Sequence, residues 1–271
     1  MSPAGPAVVK IAGNEFKRTV GHPLVIITSL VLLTFAVLNG LGGKEMLVDL
    51  SNLSASDPGD VIINTGLGQV LYSIAFLCTI VAVFVGAMSI VRERSKNSLM
   101  PLLTKPLYRR DVVVGKFMGL SLFLLFFIAF NVAMNVFMII LFFEMPTQMG
   151  EFFLRVFSFI LVLFVECSLA LAVMMLAGVV LQDLLKVALV SVTYVFLEWF
   201  AMIPASLGWW VNISPRSMFF SIVMSDRALM DTSITYSTWM SVHLPQILLM
   251  IAVTVGIILL NCIVFGRADD I

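Results

Sequence analysis

Apolar residues fill six long blocks of the chain, at 24–38, 67–91, 117–143, 154–181, 187–205 and 245–265, and the charged residues gather in the segments between them. A helix needs about 20 mostly apolar residues to cross a hydrocarbon core about 30 Å thick, so each block is expected to be a transmembrane helix. The first block is the shortest. Pro23 suits its first helical position, where the missing N–H removes no hydrogen bond. No A-x-A cleavage pattern follows at 39–42, so this block is expected to be a retained span and not a signal peptide. Ahead of it, within 6–22, Val9, Ala12 or Gly13, Phe16 and Val20 recur at helical spacing, while Lys10, Asn14, Glu15, Lys17 and Arg18 take other faces. That pattern predicts an interfacial helix lying in the headgroup plane with its basic residues toward anionic lipid. The expected fold is therefore all-α, a polytopic membrane protein whose residues 1–271 form a single transmembrane domain.

Composition agrees with the pattern. Hydrophobic residues make up 61% of the chain and charged residues only 12%, against about 25% charged in a soluble domain, so no sizeable water-soluble domain fits within it. The 16 Lys and Arg balance the 16 Asp and Glu, which leaves no basic excess for nucleic acid. Cys78, Cys167 and Cys262 lie inside apolar blocks without C-x-x-C spacing, so neither a disulfide framework nor a metal site is expected.

The distribution of charge says more than its sum. With both ends on one side, that side receives Lys10, Lys17, Arg18, Arg92, Arg94, Lys96, Lys105, Arg109, Arg110, Lys116, Lys186 and Arg267, and the other only Lys44, Arg216 and Arg227, with Arg155 at a span boundary. By the positive-inside rule both termini are expected to be cytoplasmic in a plasma-membrane protein. Two external segments are long. Residues 44–66 are polar, with a turn signal at Asp57, Pro58 and Gly59. Residues 206–244 carry Trp209, Trp210 and Trp239 and suit either an ordinary interfacial loop or short helices dipping back into the membrane.

The cytoplasmic loop 92–116 is the most informative stretch. A short apolar knot, Leu99, Leu102 and Leu103, lies between Asn97 and Ser98, which can start a helix, and Lys105 and Pro106, which can stop one. Such a knob rimmed by charge can seat in a groove on a soluble partner, although charge beside a span is also the default of a solvated loop. Its spacing resembles the loop of permease subunits in the ABC type-2 exporter family, approximately E-R-x-x-G-T-L-x-x-L-L-x-x-P-x-S-R-x-x-x-x-x-G-K. Glu93, Arg94, Leu99, Leu102, Leu103, Pro106, Arg109, Gly115 and Lys116 match without a gap, with Ser98 in place of Thr, Asn97 of Gly and Tyr108 of Ser. The resemblance covers essentially the whole chain. It implies that 92–116 holds a coupling helix docking an ABC ATPase subunit through Glu93, Arg94, Ser98, Leu99, Leu102, Leu103, Pro106 and Arg109. It also implies pairing with a second permease copy, the same chain or a close paralogue. Gly115 and Lys116 precede Phe117 and lack the upstream glycine and the Ser or Thr of a Walker A loop, so ATP and Mg are expected in the partner chain, and this chain is expected to have no catalytic or cofactor-binding residues of its own.

Polar residues inside the blocks are the remaining candidates. Glu166 is expected near the middle of the fourth span and Glu198 near the middle of the fifth. The turn at 182–186 brings the two carboxyls to within roughly 8 Å in depth, at 1.5 Å per residue. A charge at the bilayer centre costs about 2.5 to 3.5 kcal/mol, so either the pair lines a route or a dimer seam, or each carboxyl is neutral and bonded to a neighbouring helix. Asn131 and Asn135 stand four apart on one face of the third span, where bonds to another helix are expected ahead of substrate contact. Met134 and Met138 border that face and read as core filler ahead of a copper(I) path. Asn52 and Asn212 head glycosylation sequons, a frequent chance pattern.

Two functions follow as expectations. One is the permease of an ATP-driven exporter. The other is a mechanotransmitter that uses the same architecture to move an extracytoplasmic partner protein without passing a substrate. An intramembrane hydrolase is poorly supported, because H-E-x-x-H and G-x-S-x-G are absent and the two histidines, His22 and His243, fall at opposite membrane faces.

Overall fold

The structure is a computed structural model and describes residues 4–51, 58–95, 109–142, 148–181, 183–200, 214–224, 229–230 and 234–267. For 4–7, 39–51, 58–69, 92–95, 109–110, 142 and 267 it describes the helix and not the side chains. The described elements are all helices: α1 (Ala4–Val20), α2 (Pro23–Ser51), α3 (Pro58–Ser95), α4 (Arg109–Phe142), α5 (Met149–Leu181), α6 (Leu184–Trp199), α7 (Pro215–Val223) and α8 (Tyr236–Arg267).

Local chemistry sets the breaks. Between α1 and α2 the chain bends by 57°. There the His22 N–H donates to the Thr19 carbonyl at 3.0 Å, Pro23 opens the next helix, and the Leu24 N–H donates to His22 Nδ1 at 3.3 Å. At the tight turn after α5, Asp183 caps α6 by accepting from the Leu185 N–H at 3.1 Å. Ser214 caps α7, with Pro215 in its first turn.

α3 and α5 form the centre of the bundle, and α8 is its most outward helix. Leu71, Ile74, Leu124, Ile128, Phe159 and Leu163 are among the fully buried core residues. Gly86 lets α3 approach α5 closely, since a Cβ there would stand 2.9 Å from the Leu171 carbonyl oxygen. The outward faces are as apolar as the core: Phe126, Phe130 and Phe137 on α4 and Leu248, Val255 and Leu259 on α8 are exposed. A surface of this kind belongs in hydrocarbon and not in water.

Several expectations change. Among the described residues four helices are long and apolar enough to cross a membrane, or five if the bent α1 and α2 pair counts as one span, against the six expected from the whole sequence. α6 has 16 residues and closes at Trp199, where the fifth span was expected to run to 205, because an apolar composition continues past the point at which the helix ends. Of the polar external segment expected at 44–66, residues 44–51 belong to α2 and 58–66 to α3, with Pro58 opening α3. Within 206–244, α7 is a short buried helix, and α8 already begins at Tyr236. On α1 the inward face keeps only part of the apolar stripe read from the sequence, Ala12 and Phe16. Val9 and Val20 are exposed, while Glu15 and Thr19 are buried beside Ile11, Ala12 and Phe16.

Candidate functional site

Gly115 and Gly119, four residues apart on α4, present no side chain to α1, and the α1 backbone lies directly on them. A Cβ on Gly119 would collide with the backbone of Ala12, and one on Gly115 would meet Ile11 at 3.1 Å. This close approach brings Lys116, between the two glycines, onto Glu15. Lys116 Nζ is 2.7 Å from Glu15 Oε1 and donates to the Ser89 carbonyl of α3 at 2.9 Å, with the side chains of the pair only 4% and 10% exposed. Burial of an ion pair demands that its lone pairs and protons find partners, and here three helices supply them. The same group of residues thus ties α1, α3 and α4 together at the point where the chain leaves the loop that joins α3 to α4. The sequence singles out Lys116 as a motif residue and places Glu15 only among the polar positions of the interfacial helix, without pairing the two, and it gives no role to Ser89. Their only sequence signal was an acidic residue on a helix otherwise rich in basic ones.

Of the loop residues expected to dock a partner, Ser98, Leu99, Leu102, Leu103 and Pro106 lie outside the described residues. Glu93 and Arg94 fall in the last turn of α3 and Arg109 opens α4, as helix positions whose side chains are not described.

The intramembrane carboxyls have separate partners. Glu166 is fully buried midway along α5. Its carboxyl meets the Thr79 hydroxyl of α3 at 3.1 and 3.2 Å and the Cys167 thiol at 3.2 Å. Glu198 lies in the last turn of α6 and not in mid-helix, and it accepts a hydrogen bond from Ser214 Oγ at 2.5 Å. Arg216 donates to the backbone carbonyl of Glu198 and lays its guanidinium over the rings of Trp199 and Phe220, at 5.2 and 4.8 Å. A helix that stops inside an apolar region leaves carbonyls without partners, and Arg216 takes one of them. The sequence carried a signal for this arrangement, since Ser followed by Pro is a helix start, but it gave no register for α7 against α6.

Asn131 and Asn135 are both buried on α4. Their amide nitrogens bond backward along their own helix, to the carbonyls of Phe127 and Asn131 at 2.8 Å each, where bonds across to another helix were expected. An asparagine that does bridge helices is Asn261, which the sequence reading passed over. Its Nδ2 donates from α8 to the Ala172 carbonyl of α5 at 2.9 Å.

On the side of the bundle away from α1, Arg155 is 2% exposed and its guanidinium organises the approach to α8. It donates to the carbonyls of Leu229, at 2.5 Å, and of Ile234, and pairs with Glu151 at 2.7 Å. Glu151 Oε1 in turn accepts the Tyr236 N–H at 2.7 Å, and the Tyr236 hydroxyl meets Ser158 Oγ at 2.6 Å. Arg155 had been read only as a residue at a span boundary. A Glu four residues earlier was the available signal.

A helical bundle clothed in apolar side chains, with several of its buried ionic groups at inter-helix joints, is a multi-pass membrane protein. The family model described as ABC-2 family transporter protein matches residues 9–269, and the chain belongs to that family, the permeases of ABC transporters. Such permeases are transport subunits that usually pair with an ATPase subunit and often dimerise. No curated protein matches the chain in sequence.

Proposed function

We propose that this chain is the membrane-spanning subunit of an ATP-driven exporter in the plasma membrane. It works as a pair with a second copy or a close paralogue, each docked on a separate ATPase subunit through 92–116, with both termini cytoplasmic. The observation that carries the reading is the bond of Lys116 to Glu15 and to the Ser89 carbonyl. A push on the loop reaches α4 through Arg109–Lys116, and the buried joint passes it to α1 and α3 without a flexible step. Closure of the ATPases on nucleotide then tilts these helices as one body and switches access from inside to outside. ATP and Mg stay in the partner and act by favouring the closed state over the open one.

Leu99, Leu102 and Leu103 are the anchors of the docking knob, and Glu93, Arg94, Ser98, Pro106 and Arg109 set its register. Changing the three leucines together to Asp should abolish co-purification of the ATPase while the protein still inserts in the membrane. Retained co-purification places the docking surface elsewhere. Glu166 and Glu198 are proposed to line the route or the seam between copies. Full transport by Glu166→Gln and Glu198→Gln proteins that assemble normally removes them from the mechanism.

One observation favours the second reading, in which the subunit moves an extracytoplasmic partner. α2 and α3, at 29 and 38 residues, are about 44 and 57 Å long at 1.5 Å per residue, well beyond a hydrocarbon core of about 30 Å. The excess is at the ends farthest from the loop, where helical arms would carry motion outward. ATP hydrolysis without vectorial transport in proteoliposomes, stimulated by an external partner, selects this reading over export.

A further inference from the structure

Glu166 of α5 and Thr79 of α3 meet in the buried core of the bundle, each only 1% exposed. A carboxylate can only accept hydrogen bonds, whereas a protonated carboxyl also donates one. Donors around Glu166 are few. The Thr79 hydroxyl lies 2.8 Å from the Ala75 carbonyl, one turn back on its own helix, and 3.1 and 3.2 Å from the two carboxyl oxygens. A hydroxyl has one proton to give, and the shorter contact takes it. That leaves the Cys167 thiol, a weak donor at 3.2 Å, as the support for a charge. The basic side chains described on the helices packed against α5 are engaged elsewhere. Lys116 of α4 is bonded to Glu15, Arg216 of α7 lies over Trp199 and Phe220, His243 of α8 bonds Gln246 and packs on Trp239, and Lys186 is exposed at the start of α6. The other titratable groups that act on Glu166, Cys78 of α3 and Tyr194 and Glu198 of α6, are acids and offset no negative charge.

We infer that Glu166 is a proton-binding site: packed against α3 it is a neutral carboxylic acid whose O–H donates to Thr79 Oγ1, and when α3 parts from α5 water reaches the carboxyl and takes the proton, leaving a carboxylate. An unpaired charge in an apolar core is strongly disfavoured, and the neutral acid removes it while giving every proton in the group an acceptor. The seam that keeps water out is tight. Gly86, about two turns along α3 from Thr79, would place a Cβ 2.9 Å from the Leu171 carbonyl oxygen, and Gly178 of α5 one 3.2 Å from the Ala87 carbonyl oxygen, so the two backbones lie against each other beside the acid. The link to a transport stroke rests on the coupling reading, in which α3 moves with α1 and α4 while α5 lies outside that joint. The proton site itself rests on packing alone.

The test is infrared spectroscopy of the purified full chain in detergent at neutral pH, which needs no ATPase and so succeeds or fails apart from the coupling reading. The unaltered protein should show the C=O stretch of a neutral carboxyl. That band should be lost in Glu166→Gln and shifted in Thr79→Val, which keeps the shape of the side chain and removes the acceptor. Gly86→Val wedges α3 away from α5, and in it the band should give way to carboxylate absorption. Gly178→Ala is the milder wedge and should lose part of the band, with circular dichroism confirming that the helices remain. A neutral-carboxyl band unchanged by Glu166→Gln overturns the neutral acid. A band unmoved in Thr79→Val overturns its partner on α3. Full retention of the band in the wedged proteins overturns release of the proton on separation.

Discussion

Lys116 and Glu15 meet at 2.7 Å across 101 positions of sequence, and the contact is buried on both sides. Removing one partner strands the other charge in an apolar setting, at a cost of about 3 to 5 kcal/mol, whereas removing both leaves nothing stranded. Lys116→Met and Glu15→Leu should each lower the unfolding midpoint in detergent sharply. The double variant should recover much of the loss, since an apolar pair of similar volume replaces an ionic one. A double variant at the sum of the two single losses would show that the residues act separately.

Gly119→Val should be as damaging as either single charge change, for a different reason. The added side chain would occupy the space of the Ala12 backbone, which cannot yield as a flexible side chain can. α1 should lift from α4, and Ala12→Cys in that background should react with a maleimide at a rate the Ala12→Cys protein alone does not show. Unchanged labelling would mean that α4 and not α1 absorbs the clash.

These joints mark the limit of what the sequence shows. The long helices were legible because apolar blocks of about 20 residues have few other uses, and the break at His22 because Pro23 restricts where a helix can begin. The end of α6 at Trp199 was not, since hydropathy counts apolar residues and does not see where their backbone turns. Nor was the helical course of 44–51, where Lys44, Glu45 and Asp49 stand among Met46, Leu47, Val48 and Leu50 and mark the segment as polar. Glu15 was read as one of several polar positions on an interfacial helix. Its partner sits on another helix, and only packing of α1 on Gly115 and Gly119 brings them together. Asn131 and Asn135 are a different case. Their spacing suggested bonds to a neighbour, but a side-chain amide on a helix can equally reach the carbonyl four residues back.

Ser214 holds two bonds with one hydroxyl, donating to Glu198 and accepting from the Ser217 N–H that opens α7. Loss of a cap alone costs about 0.5 to 2 kcal/mol, and here a carboxyl loses its partner as well. Ser214→Ala should therefore speed hydrogen exchange of the amides of α7 more than Ser214→Thr, which keeps the hydroxyl. Equal exchange in the two variants would show that Pro215 and the packing of Phe219 hold the helix without the cap.

Arg155 combines three acceptors in one guanidinium and so gives a rank order of variants. Its guanidinium serves the carbonyls of Leu229 and Ile234 and the carboxylate of Glu151, which itself holds the Tyr236 N–H. A planar fork can meet three acceptors in fixed directions, while an ammonium on a flexible stem cannot. Arg155→Met strands two carbonyls and a carboxylate and should be the worst variant. Arg155→Lys keeps the charge but not the fork and should be intermediate. Glu151→Gln retains an oxygen for the Tyr236 N–H and should be mildest. The loss should be local, because α8 below this point is held to α5 by Asn261 and by its own packing. Hydrogen exchange of the Tyr236 amide and protease cleavage between Val223 and Ile234 should rise in the order Gln, Lys, Met. If Arg155→Lys matches the unaltered protein, charge alone suffices and the fork has no role. If all three variants unfold globally, the clamp is part of the core and not a local tie.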